Sequence, residues 1–98
     1  MITNKILNKK ELANYKLVID IDGEDGNAFV LFGYATHVAE KLLWPQTKID
    51  AIIKEMQSDD YYYLLQVFDK YFGDFVVLYT TNKIIMRQTY SGIYNKNI

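Results

Sequence analysis

"DFVVLYTTNKIIMRQTY", residues 74–90, decides how this chain folds, because a sheet needs strands beyond the single clear one near the N-terminus. The Val, Tyr and Thr of "DFVVLYTT" read as a strand, "TNK" as a turn, and "KIIMRQTY" as a strand returning beside the first. Alternation puts Ile84 and Met86 on one face of the returning strand, with Ile85 and Arg87 on the other. At the edge of a sheet, with Ile85 exposed, that strand offers backbone groups to a partner or to a second copy, so a homodimer is one expected state.

Upstream the period is helical. Tyr61, Leu64, Leu65, Phe68, Tyr71 and Phe72 recur at the spacing of one helix face, after "SDD" (Ser58 to Asp60), whose acceptors suit a helix start. Gly73 stands where a left-handed residue would close that helix. Ile49, Ile52, Ile53 and Met56 form a narrower stripe, with a cap expected within Thr47 to Asp50. From Asn27 to Leu43, Leu31, Tyr34, Ala35, Val38 and Leu42 form a wide apolar face opposite Gly33, Thr36, His37, Glu40 and Lys41. Trp44-Pro45 ends that helix. "KLVIDID", Lys16 to Asp22, alternates as a strand with Leu17, Ile19 and Ile21 on one side. Asn8 and Glu11 have capping-box spacing, which places one helical turn over Lys9 to Ala13.

The expected fold class is therefore α+β: one strand, three helices, then a β-hairpin, with the helices on one face of a small, mostly antiparallel sheet. One domain covers residues 1–98, with 1–15 as an arm and 91–98 as a frayed tail. Half of the residues are hydrophobic and 23% are charged, a balance that suits a folded core. The chain has no cysteine, so disulfides and thiolate metal sites are excluded, and a reducing cytoplasm is the expected compartment. The N-terminal "MITNKILNKKELANYK" lacks the apolar core of a secretory signal, and no apolar run is long enough to span a bilayer. A net charge of −1 argues against nucleic acid as a partner.

"DIDGEDGNAF", Asp20 to Phe29, is the densest candidate for chemistry. Counted from Asp20 as a calcium loop, the position that needs glycine is Asp25 and the position that needs glutamate is Leu31. A phosphate cradle would be opposed by the charges of Asp22, Glu24 and Asp25. Asp22-Gly23 and Asp25-Gly26 are turn dipeptides, and Asn27 or Asp25 can cap the helix that follows. The reading adopted is a strand-to-helix corner without metal or cofactor. The alternative is a small-ligand or nucleotide site on Asp22, Gly23, Asp25, Gly26 and Asn27 with nearby tyrosines. A hydrolase holding a metal on Asp20, Asp22 and Asp25 would need those carboxylates to converge.

The single histidine, His37, has no second His or Cys to form a site with it, and no serine or threonine sits in a nucleophile-elbow context, so an enzyme is not expected. Nine tyrosines remain to be explained. Burying Tyr61 with Leu64, Leu65 and Phe68 turns Tyr62 or Tyr63 outward, in a line with Val67 and with Gln66 beside it. Tyr62, Tyr63, Gln66 and Val67 are thus the candidate residues for binding a protein partner. Stacking on bases would need a basic groove, and the nearby charges, Asp59, Asp60, Asp69 and Asp74, are acidic.

Across residues 17–79, "DGEDGNAF" and "MQSDDYYYLLQVFDKYFGDFVVLY" resemble a set of short uncharacterised proteins carried by phages, prophages and bacteria. The shared pattern is Gly26 to Phe29, Ser58 to Tyr61, Leu64-Leu65 and Gly73-Asp74, with Asp59 here where that pattern has glycine. The resemblance implies a phage accessory protein and no activity; a single folded domain, no catalytic constellation and a surplus of tyrosine make the expected function the binding of a host factor.

Overall fold

The computed structural model of the chain describes residues 2–4 and 17–93. Its elements are β1 (Ile2–Asn4), β2 (Leu17–Asp20), a 3-10 turn (Glu24–Gly26), α1 (Ala28–Lys41), α2 (Gln46–Met56), α3 (Tyr61–Phe72), β3 (Val76–Thr80) and α4 (Lys83–Ile93). The sheet has the order β1-β3-β2, and both pairings are parallel. Leu17 stands opposite Val76, and Ile19 and Ile2 flank Leu78.

This overturns the expected hairpin. A parallel neighbour must be reached by a crossover, and α1, α2 and α3 supply it between β2 and β3. Val76, Val77 and Leu78 are all buried, the continuous apolar run of a central parallel strand. The segment read as its returning partner is α4. Asn82 starts that helix: its side-chain oxygen accepts the backbone N–H groups of Ile84 and Ile85 at 2.9 and 3.2 Å. Ile85, 8% exposed, turns into the core while Ile84 is 49% exposed, the reverse of the faces assigned to an edge strand. Pairing of copies through that strand therefore falls away. Helix α4 continues to Ile93, so residues 91–93 are not a frayed tail.

All four helices share one core with the sheet face that carries Ile2, Ile19, Ile21, Val76 and Leu78. Helix α1 contributes Leu31, Ala35 and Ala39; α2 contributes Ile49, Ile52 and Met56; α3 contributes Leu64, Leu65, Phe68 and Phe72. Small residues on α1 let it approach closely, while α3 supplies the bulk. Trp44 stacks on Phe72 at 5.4 Å between centroids, and the Lys48 ammonium sits 3.8 Å above the Trp44 ring.

Two cap assignments change. Helix α2 has Pro45 as its N-cap, without a side-chain hydrogen bond, and Thr47 lies inside the helix. Gly73 is right-handed, at φ −61°. The left-handed residue is Leu43, at φ 60°. It ends α1 in a Schellman motif: the Leu43 N–H donates to Glu40 O at 3.0 Å and the Trp44 N–H to Ala39 O at 3.1 Å. The turn expected over Lys9 to Ala13 and most of the N-terminal arm lie outside the described residues, as do residues 94–98.

Candidate functional site

The acidic turn leaves the carboxyl end of β2, beside the carboxyl end of β3. That end of a parallel sheet is where ligands commonly bind. Here its strongest acceptor is engaged within the fold. The Asp22 carboxylate accepts hydrogen bonds from Thr80 Oγ1 at 2.5 Å, Thr81 Oγ1 at 2.6 Å and the Thr81 backbone N–H at 2.9 Å. Asp20 Oδ1 accepts from the Asp22 N–H at 3.0 Å. Asn27, not Asp25, caps α1, its side-chain oxygen accepting from the Phe29 N–H at 2.8 Å. Asp25 accepts a long bond, 3.4 Å, from the Tyr34 hydroxyl.

Gly26 passes so close to the Ile21 carbonyl that a Cβ there would collide with it, whereas Gly23 faces open space. The Tyr61 hydroxyl donates to Gly26 O, clamping the start of α3 to the turn. Burial pushes the Tyr61 phenol pKa up, and the negative charge of Asp22 adds to the shift. Asp22, Gly23, Asp25, Gly26 and Asn27 thus form one corner with its own internal bonds. Among the described residues no three His, Cys, Asp or Glu side chains are grouped to hold a metal ion.

The tyrosine line is only partly outward. Val67 is 2% exposed and belongs to the core, because α3 is covered on two sides, by α2 and by α4. The Gln66 amide donates to Gln88 O and Thr89 O, at 3.2 and 2.9 Å, and fastens α3 to α4. Tyr62 and Tyr63 are half-buried against the core. The Tyr63 hydroxyl also reaches Glu55, at 3.5 Å.

Glu55 gathers more than that contact. Its carboxylate accepts from the Tyr71 hydroxyl at 2.8 Å and pairs with Lys70 at 3.4 Å. The Tyr71 hydrogen bond, opposed by partial burial and helped by Lys70, lowers the Glu55 pKa. The same bond raises the pKa of Tyr71, and Lys70 is raised by its bond to Glu55. These groups brace α2 against α3.

Among the described residues the most exposed large apolar side chains lie elsewhere: Leu43, 88% exposed, and Phe29, 81% exposed. Both fall within the Asn27 to Leu43 run but off its apolar face: at helical spacing Phe29 shares the stripe of Gly33, Thr36 and Glu40. Phe29 lies in the first turn of α1, touching Phe32 edge-on at 6.1 Å. Leu43 is thrown outward by its left-handed backbone.

A second feature escaped the sequence because it joins distant segments. At the opposite end of β2 from the acidic turn lies an open cavity of about 460 Å³, lined by Leu17, His37, Val38, Lys41, Leu42, Phe75 and Val76. Among the described residues no helix is long and apolar enough to cross a membrane. Neither a family model, nor a curated protein, nor a solved structure matches this chain.

Proposed function

We propose that this chain is a small protein-binding domain working in the cytoplasm, of the kind a phage or other mobile element uses to act on a host protein. The observation that carries the reading is Leu43. A bulky side chain in the left-handed region is strained, and glycine is the residue that fits that position. The strain brings no compensating burial, since the side chain is 88% exposed. Strained residues that gain nothing within the fold mark functional positions, and an apolar side chain held out in water is of use once a partner covers it. Phe29, and the outer edges of Tyr62 and Tyr63, add aromatic area of the type that dominates interfaces.

Leu43→Gly tests this by removing the side chain while relieving the backbone. Wild-type and variant chains serve as baits for affinity capture from bacterial lysate. The expected result is a protein retained by the wild type and lost by a variant that folds at least as well. An identical set of captured proteins on both baits overturns the reading.

A further inference from the structure

We infer that the cavity at the amino end of β2 and β3 is a binding site for a small apolar carboxylate, an acyl or alkyl-aromatic acid. The site is distinct from the surface around Leu43 that carries the protein-binding reading, and either stands without the other. The walls are Leu17 and Val76 from paired strands, Phe75 from the turn before β3, and Val38 and Leu42 from α1. At about 460 Å³ it lies within the ~300–1,000 Å³ range of small-molecule sites. Such sites combine an apolar lining with a few placed polar groups, and here His37 and Lys41 supply hydrogen-bond donors. His37 and Lys41 lie one turn apart on α1, and both line the cavity. Lys41 brings an ammonium group with three donors, and the imidazole brings a ring N–H.

Neither side chain has a hydrogen-bond or ion-pair partner among the described residues, and no described lining residue is acidic. An apolar hollow with an ammonium group and an imidazole N–H along one wall is complementary to a molecule with an apolar body and an anionic head. A neutral lipid would leave the donors unanswered. A phosphate ester without an apolar tail would leave the walls wet.

Decanoate, with 1-decanol as its uncharged counterpart, is the probe. Calorimetric titration of the full chain should show saturable decanoate binding, and methyl NMR shifts should map to Leu17, Val38, Leu42 and Val76. Lys41→Met, a change at an exposed position that leaves the fold intact, should weaken decanoate roughly fivefold, as loss of one partly solvated ion pair does. The same variant should leave 1-decanol binding unaltered. Any of four results overturns the inference. These are no saturable binding, equal decanoate affinity in Lys41→Met, shifts centred on the acidic turn or Phe29, or sedimentation showing a dimer that buries these walls and excludes decanoate.

Discussion

Asp22 and Thr80, 58 positions apart, close the carboxyl ends of β2 and β3 with a 2.5 Å hydrogen bond from the threonine hydroxyl to the carboxylate. The Thr80 oxygen in turn accepts the Asn82 N–H at 2.9 Å, and Asn82 caps α4. One carboxylate thus links the acidic corner after β2 to the start of the last described helix.

Asp22→Ala is therefore expected to destabilise the fold. Thr80 is fully buried and would lose its acceptor, while exposed Thr81 would recover water, so the cost should be about 2 kcal/mol. Urea unfolding checks it through a lower midpoint at an unchanged slope. Combined with Thr80→Val in a double-mutant cycle, the pair should show coupling of about 1 kcal/mol. Additive effects would mean that the hydrogen bond contributes nothing.

Two glycines should respond in opposite directions to the same change. At Gly26 an added methyl group meets the Ile21 backbone carbonyl, which cannot move without dragging β2, so Gly26→Ala should cost about 2 kcal/mol or more. At Gly33, within α1, the added Cβ meets nothing within 4 Å, and alanine should stabilise the helix by about 0.5–1 kcal/mol. Paired thermal melts decide it: a domain of this size moves about 4–8 °C per kcal/mol. Equal shifts in one direction would contradict the close approach at Gly26.

The Glu55 cluster predicts how stability depends on pH. The folded pKa of Glu55 is lowered, chiefly by the Tyr71 hydroxyl, so its contribution is present above the ordinary carboxylate pKa. That contribution is lost as pH falls through the lowered folded value. Tyr71 is raised, chiefly by the same bond, so its contribution holds below the ordinary phenol range and is lost as pH climbs through the raised value. Glu55→Gln should cost about 1 kcal/mol at neutral pH, and the gap from wild type should close as pH falls from the ordinary carboxylate range through the lowered folded value. A gap that stays constant down to acid pH would show that the charge of Glu55 plays no part.

Helices α1, α2 and α3 were legible in the sequence because each carries its own period over ten or more residues. The faces of Ile49, Ile52 and Met56 on α2, and of Leu64, Leu65 and Phe68 on α3, lie where their spacing places them. The sheet was misread in two places: Ile2–Asn4, expected as part of an arm, is strand β1 beside β3, and the segment after β3 is a helix. Ile84 and Ile85 are β-branched and follow a three-residue turn-like segment, so local preference favoured a strand. The contrary signals were weaker: Asn82 at capping distance, and a β3 apolar without alternation, which marks a central strand buried on both faces. The acidic corner was legible as a corner, since turn chemistry is local. Val67 was misassigned because α3 is covered by both α2 and α4, and coverage by α4 depends on contacts far along the chain. Leu43 could have been suspected only from its place just after a helix and before Trp44-Pro45, where a left-handed residue is common and leucine is not.

Leu43→Gly separates stability from function most sharply. The left-handed backbone costs a non-glycine residue roughly 1–2 kcal/mol, while a side chain 88% exposed loses little burial when removed. Glycine raises the entropy of the unfolded chain, which offsets part of the gain, so the net stabilisation should be about 0.5–1 kcal/mol. Leu43→Asn should give a smaller gain in the same direction, because asparagine tolerates this region better than leucine. Leu43→Ala removes the apolar bulk but keeps a Cβ in the strained conformation, so it should leave stability nearly unchanged. Calorimetric melting of the three variants beside wild type checks the order Gly above Asn above Ala. If glycine fails to raise the melting temperature, the backbone at Leu43 is not strained, and its outward leucine loses its claim to be kept for a partner.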